Sequence, residues 1–229
     1  MKISQAFTRP PTLLIAAGAA LSLSVAFVGS GLAFDHYQRI IVPPVPSNLQ
    51  VEPGNRVYLE GHATGTQNYI CMPCPNAITP AAKCPASGFA WAFIGPQATL
   101  FDVIDGDDQQ IITHFNSSNP VEGGKERPTW QDSHDTSVVW ANNTSPPAES
   151  STDPQFVAAG AIPWLKLPMA GTQVGPTGGA RLTKTTFVQR LNTHGGVAPD
   201  ASTCASPADA GKKALKPYSA DYFFYKKAK

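Results

Sequence analysis

From residue 56 onward, apolar and polar positions alternate in short runs rather than in helical repeats. Residues 56–60 alternate with period two after the turn Pro53-Gly54-Asn55, and 67–71 form a second short run with Tyr69 and Cys71 on one face. Residues 89–93 alternate bulky and small side chains around Trp91 and break at Gly95-Pro96. Further runs at 98–104, 110–115, 137–141, 162–167, 182–191 and 222–225 are separated by turn chemistry such as Asp105-Gly106-Asp107-Asp108. That spacing predicts a single all-β domain, an antiparallel β-sandwich with a barrel-like closure as its variant. The 22 prolines and 19 glycines leave little room for helices, and no helical crossover of the length parallel strands require is readable. Residues 142–153 and 169–179 read as long loops rich in Pro, Gly, Ser, Thr or Asn.

Two stretches stand out. Tyr222-Phe223-Phe224-Tyr225 is apolar on both faces and predicts a central strand covered on both sides. The stretch 187–196 reads as a late strand ending in His194-Gly195-Gly196, a turn that carries the chain towards Cys204. Within it Gln189 and Arg190 must face opposite ways, because side chains alternate along a strand. Arg190 then sits in an apolar setting, and a pairing with Asp102 or Asp221 is expected to neutralise it.

The N-terminus changes the picture of where such a domain works. Lys2 and Arg9 precede an apolar core over residues 13–28, and Gly31-Leu32-Ala33 supplies small residues for cleavage. Residues 1–33 therefore read as an export signal, leaving 34–229 as a periplasmic or secreted domain with no stable transmembrane anchor after cleavage. The whole chain has 17 basic and 16 acidic residues, with charged residues at 14% and no basic stripe. A nucleic-acid partner has no electrostatic support in such a chain; a small molecule, a glycan or an envelope component fits better.

Cys71, Cys74, Cys84 and Cys204 all follow the signal, which suits disulfides in an oxidising compartment. Four cysteines allow three pairings. A local clip Cys74–Cys84 with a long-range link Cys71–Cys204 is the favoured one. A Cys₄ zinc site, suggested by Cys71-x-x-Cys74, is the competing reading.

The motifs Gly61-His62-Ala63-Thr64-Gly65-Thr66-Gln67-Asn68-Tyr69-Ile70-Cys71, Ala98-Thr99-Leu100-Phe101-Asp102, His114-Phe115, Pro128-Thr129-Trp130, Ile162-Pro163-Trp164-Leu165, Val188-Gln189-Arg190-Leu191-Asn192-Thr193 and Tyr218-Ser219-Ala220-Asp221-Tyr222-Phe223-Phe224-Tyr225 occur in that order. Together, over about residues 45–225, they resemble the bacterial and fungal family known as domain of unknown function 3455. The resemblance implies an architecture and no activity. Fungal members are often labelled malate dehydrogenase, but no G-x-G-x-x-G stands here between a strand and a helix. Asp135-Thr136-Ser137 replaces the family's Asp-Gly-Ser, and Cys74 and Cys84 lie in an insertion not associated with the family. The resemblance thus implies Cys71–Cys204 as the shared pair.

Several residues could carry chemistry. His62, His114 and His194 fall in the family-like segments, and neutral imidazoles could hold copper or zinc, although the sequence requires no cofactor. A metal-dependent redox or hydrolytic enzyme built on them is the alternative to a non-catalytic ligand- or partner-binding protein, with a purely structural envelope protein as a third reading. Asp102 and Asp221 could in principle serve glycoside hydrolysis, but neutralising Arg190 is their simpler role. No G-x-S-x-G is present, and 105–108 lacks the twelve-residue calcium-loop pattern. Trp91 is expected in the core and Trp130, beside Pro128, at the surface. A pocket lined by Gln67, His114, Trp130 and Arg190, with His194 at its mouth, would mark a small-molecule site.

Overall fold

The computed structural model describes residues 39–74, 84–104, 107–142 and 148–229. The signal-like segment 1–33, His36, and the first half of the Asp105-Gly106-Asp107-Asp108 turn lie outside them. Residues Arg39–Lys229 form one compact unit. Among the described residues the strands are β1 (Asn55–Pro73), β2 (Phe89–Ile104), β3 (Asp107–Asn119), β4 (Lys125–Asp132), β5 (Val138–Ala141), β6 (Glu149–Ser151), β7 (Trp164–Gln173), β8 (Thr185–Gly195) and β9 (Lys213–Lys227). Their order in the sheet is β5-β4-β3-β2-β1-β9-β8-β7-β6, every pairing is antiparallel, and β5 also pairs with β7. That last ladder, from Val138↔Gln173 to Ala141↔Met169, closes eight strands into a barrel. The all-β architecture thus takes its barrel form. β6 pairs with the first half of β7, beside the part that β5 uses. Among the described residues no helix is long and apolar enough to cross a membrane.

Several sequence runs merge. Residues 56–60 and 67–71 belong to one nineteen-residue strand, β1. The expected break at Gly95-Pro96 is a bulge inside β2, where Gly95 takes φ +132 and the β1 partner shifts register at Asn68/Tyr69. Glycine tolerates that φ, so the strand continues past a residue pair that normally ends one. The strand β4 was hidden because Pro128 punctuates it, and β6 and the second half of β7 lie in stretches that read as loops.

An eight-stranded bore is just wide enough to be filled by side chains or to hold one small ligand. Here the inner face is filled by a cluster that includes Leu59, Leu100, Ile112, Val139, Leu167, Leu182, Val188, Trp130, Tyr222 and Phe224. Small inner residues, Ala63 and Ala98 on β1 and β2 and Ala220 on β9, face this cluster and leave space for its aromatic rings. A second cluster lies outside the barrel wall: Leu49, Val157, Trp164, Leu191, Phe223 and Tyr225, with Ile40, Val42, Val45 and Val51 packed against it. The segment before β1 therefore runs as a strap over β7, β8 and β9. This explains why 222–225 is apolar on both faces. Tyr222 and Phe224 point into the bore, while Phe223 and Tyr225 lie beneath the strap, and β9 is central, between β1 and β8.

The strap is pinned by polar groups on the same outer face. Gln189, 1% exposed, donates from Nε2 to the Leu49 carbonyl (2.6 Å) and accepts at Oε1 from the Tyr225 hydroxyl (2.6 Å). Lys166 donates to the Gln50 carbonyl at 2.9 Å and bridges Glu52 on the strap (3.1 Å) to Glu149 on β6 (3.0 Å). The Gln189 that shares its run with Arg190 is thus a fastening for the strap, on the face away from the bore.

Both disulfides form as Cys71–Cys204 and Cys74–Cys84, which suits an oxidising environment. The first joins β1 to the turn after β8 across 133 residues. In the loop-entropy account a link of that span destabilises the unfolded chain by roughly 4–5 kcal/mol. The two tryptophans exchange their expected places. Trp130 is fully buried in the bore, because its β4 register turns it inward opposite His114. Trp91 is partly exposed and donates from Nε1 to the Thr203 hydroxyl (3.1 Å) in the turn before Cys204.

Replacing Gln189 by leucine leaves the Leu49 carbonyl and the Tyr225 hydroxyl buried without their partner. Equilibrium denaturation of Gln189→Leu is expected to show a loss of about 1–3 kcal/mol. An unchanged midpoint would show that the strap is held by apolar packing alone.

Candidate functional site

A cavity of about 190 Å³ opens into the bore. Seven of the eight barrel strands line it: β1 through Gln67, β2 through Phe93 and Pro96, β3 through His114, β4 through Pro128 and Trp130, β7 through Leu165 and Leu167, β8 through Arg190 and β9 through Tyr222; Ala148, just before β6, completes the wall. Strand alternation and barrel closure together bring these residues to one place, since each sits on its strand's inward phase. Phe93, 45% exposed, stands at the open side, and Tyr69 lies against it with ring centroids 5.6 Å apart.

One wall is an aromatic stack. The His114 imidazole lies flat on Trp130, with centroids 4.3 Å apart and planes within 4°. Tyr222 meets both rings edge-on, at 5.2 Å and 5.8 Å, and Phe224 backs Trp130 at 6.1 Å. His114 Nδ1 is 2.8 Å from the Thr129 carbonyl, so Nδ1 carries the proton and donates, leaving Nε2 as an acceptor. Burial pushes the His114 pKa down to about 3, against the opposing pull of the Thr129 bond and with help from the Arg190 charge. At neutral pH this is an uncharged ring in a stacked aromatic wall.

Around this wall lie polar groups with unmet capacity. Gln67 Nε2, Trp130 Nε1 and Arg190 Nε are all buried with no hydrogen-bond partner among the described residues. All three are donors. The Gln67 amide lies near enough to Tyr218 to favour its ionised form, but it makes no hydrogen bond of full geometry. Tyr218 and Tyr222 share a hydroxyl–hydroxyl contact of 3.3 Å. Burial raises the pKa of both, with Arg190 pulling each back, so both stay protonated at neutral pH.

Arg190 is the charged group of the cavity. One terminal nitrogen donates to the Pro163 carbonyl (2.8 Å), and the guanidinium reaches the Tyr222 hydroxyl. Among the described residues it has no carboxylate partner, contrary to the aspartate pairing its setting suggested. The reason is where the acids point. Asp221 faces away from the bore and is held by His62 Nδ1 (2.7 Å) and Asn192 Nδ2 (2.7 Å). Arg190 itself is only half-buried, because it faces the cavity rather than packed apolar side chains.

Gln67, His114, Trp130 and Arg190 therefore line one cavity, and His194 does not. It is exposed at the end of β8, beyond the register shift at Leu191/His194. The three histidines do not converge either. His62 is exposed on the outer wall, His114 is buried in the bore, and His194 lies at the strand end. Among the described residues the group able to offer three metal ligands is Glu60, His62 and Asp221, whose ligand atoms lie within 4.8 Å of one another. Its imidazole is already engaged with Asp221. Burial lowers the His62 pKa, but the Asp221 hydrogen bond and the charges of Asp221, Glu60 and Asp102 outweigh it and raise it overall. The four cysteines are consumed in disulfides, so no Cys₄ zinc site forms. Sequence reading missed Tyr222 and Leu165 as cavity residues. Each lay inside an apolar run with nothing to distinguish it from core.

The two histidines should titrate in opposite directions. His114 has its folded pKa depressed from the ordinary 6.5 to about 3, so between those values only the unfolded chain takes up the proton. Its contribution to stability is lost as pH falls through that window. His62, with its pKa raised, contributes stability below 6.5 that is lost as pH rises through its folded pKa. NMR titration should show His62 changing above pH 6.5 and the His114 ring unchanged down to about pH 4. A His114 midpoint near 6.5 would contradict the dry, stacked environment.

A family model described as a protein of unknown function, DUF3455, matches residues 52–226, a span that takes in both disulfides, the closed barrel and all the cavity-lining strands. No curated protein and no solved structure matches the chain. With the match covering most of its length, the chain belongs to the DUF3455 family of proteins of unknown function.

Proposed function

We propose that this protein is an exported, non-catalytic β-barrel that binds a small molecule in the cavity of its bore. The observation that carries this reading is that three side chains lining one cavity, Gln67, Trp130 and Arg190, each carry a buried donor with no acceptor among the described residues. Buried polar groups in folded proteins are almost always satisfied, and an unsatisfied one costs about 1–3 kcal/mol. Three in one place are the signature of a site completed by something outside the chain. The apolar and aromatic surround with a few convergent polar groups is the usual composition of a ligand pocket. A purely structural barrel would gain stability from apolar side chains at these positions. The signal-like residues 1–33 and the two disulfides support a periplasmic or secreted setting.

Catalysis finds less support. The cavity's imidazole is held neutral well below neutral pH, no carboxylate among the described residues lines the cavity, and Glu60, His62 and Asp221 lie on the outer wall, with the His62 imidazole already bonded to Asp221.

The experiment is a fragment panel, neutral and charged, read by thermal unfolding and by the amide and indole NMR spectrum. A ligand at a hundredfold excess over its Kd stabilises the fold by about 2.7 kcal/mol, an upward shift in Tm of roughly 5–10 °C for a domain of this size. Hits should move the Trp130 indole and Gln67 amide signals, and Ala148→Phe, which puts a ring into the cavity wall, should abolish them. Hits that perturb only outer-wall residues, or that survive Ala148→Phe unchanged, would contradict a site in the bore.

A further inference from the structure

We infer that the cavity's ligand is an oxyanion, a carboxylate carried on a flat apolar body about one ring in size. This rests on the reading of the cavity as a binding site and goes further, to the charge, the anchoring group and the size of what it takes.

Charge comes first. Among the described residues the one charged side chain lining the cavity is Arg190, and no carboxylate pairs with it. Acids elsewhere on the barrel are engaged away from it: Asp221 with His62 and Asn192, Asp132 with Arg181, Glu122 with Arg127. His114 adds no charge at neutral pH. The described wall of the cavity thus carries a positive charge with no negative group to cancel it, a setting that repels cations and favours anions.

Hydrogen-bond polarity points the same way. Gln67 Nε2, Trp130 Nε1 and Arg190 Nε can only donate. A ligand group that satisfies all three must be rich in acceptors and need not donate. A carboxylate offers about four lone-pair sites on two oxygens, and guanidinium is the side chain whose planar fork matches it. A neutral amide would bring its own N–H donors into a ring of donors. An alcohol would supply too few acceptors.

The rest of the ligand is fixed by the remaining wall. Leu165, Leu167, Pro96 and Pro128 are apolar, and the stacked His114–Trp130 pair lines the same cavity. The volume of about 190 Å³ is a little larger than the roughly 150 Å³ that accommodates a benzene-sized guest in a protein interior. One ring with a carboxylate fills it, and a long acyl chain does not.

The test compares benzoate, its neutral isostere benzamide, and inorganic phosphate on the full chain with its disulfides intact, by calorimetry and by the Trp130 indole N–H signal, assigned with Trp130→Phe. Benzoate should bind at least about tenfold more tightly than benzamide, the difference expected of a hydrogen-bonded charged group, should shift the Trp130 indole proton downfield, and should lose that advantage in Arg190→Gln. Phosphate alone should bind more weakly than benzoate. Equal binding of benzoate and benzamide would overturn the oxyanion assignment while leaving the cavity as a site for neutral molecules. Phosphate matching benzoate would overturn the flat apolar body. Saturation by neither anion, with neutral fragments binding in the bore, overturns the inference alone, and no binding by any fragment overturns both the inference and the site. The benzoate-to-benzamide ratio in the unaltered protein decides the question even if Arg190→Gln fails to fold.

Discussion

Closure of the sheet through the β5–β7 ladder is the constraint on which the rest of this structure depends. Once eight strands are joined edge to edge in a closed ring, every inward side chain shares a bore whose diameter is set by strand number and tilt. What fills the bore is then a question of volume. Leucines, isoleucines and Phe224 fill part of it completely. Elsewhere small residues on β1, β2 and β9 leave room for the His114–Trp130–Tyr222 aromatic wall, which lines a cavity. The cavity is what remains between that aromatic wall and Gln67, Leu165, Leu167 and Arg190.

The outer wall has its own logic. A strand such as β9, apolar on both faces, cannot stand exposed on a single-layer barrel, so the segment before β1 covers it. Gln189 and Lys166 fasten that cover by donating to strap carbonyls and, for Lys166, to the Glu52 carboxylate. These two residues and Arg190 belong to the same pair of neighbouring strands but serve different faces. On β8, a strap fastening and the cavity's charged group are consecutive residues, Gln189 and Arg190.

Much of this was legible in the sequence, and the misses have physical causes. Period-two runs between glycine and proline turns revealed the all-β character. Cysteine order and compartment favoured the pairing that forms. Gln67, His114, Trp130 and Arg190 could be named together because each sits in a conspicuous polar-aromatic motif, although only closure puts them in one cavity. Gly95-Pro96 looked like an end because a bulge that accommodates the pair depends on the register of the neighbouring strand. Trp130 looked exposed because Pro128 suggested a loop, whereas its inward phase depends on pairing with β3. Arg190 seemed to demand an aspartate because a strand pattern shows that a residue points inward without showing that the space beside it is empty. The histidine trio failed for the same reason: which face a strand turns inward is a property of the closed barrel, and it set His62 outside and His114 inside.

The central claim is that the cavity in the bore lined by Arg190, Trp130 and Gln67, whose buried donors lack partners among the described residues, is a ligand site. A crystal structure of the purified, disulfide-intact protein grown with a saturating carboxylate tests it most directly. The account predicts density inside the barrel with an oxygen within hydrogen-bond distance of Arg190 and of the Trp130 indole nitrogen, and Asp221 still turned outward to His62. A bore closed by repacked side chains, or Arg190 paired with a carboxylate of its own chain, would contradict it.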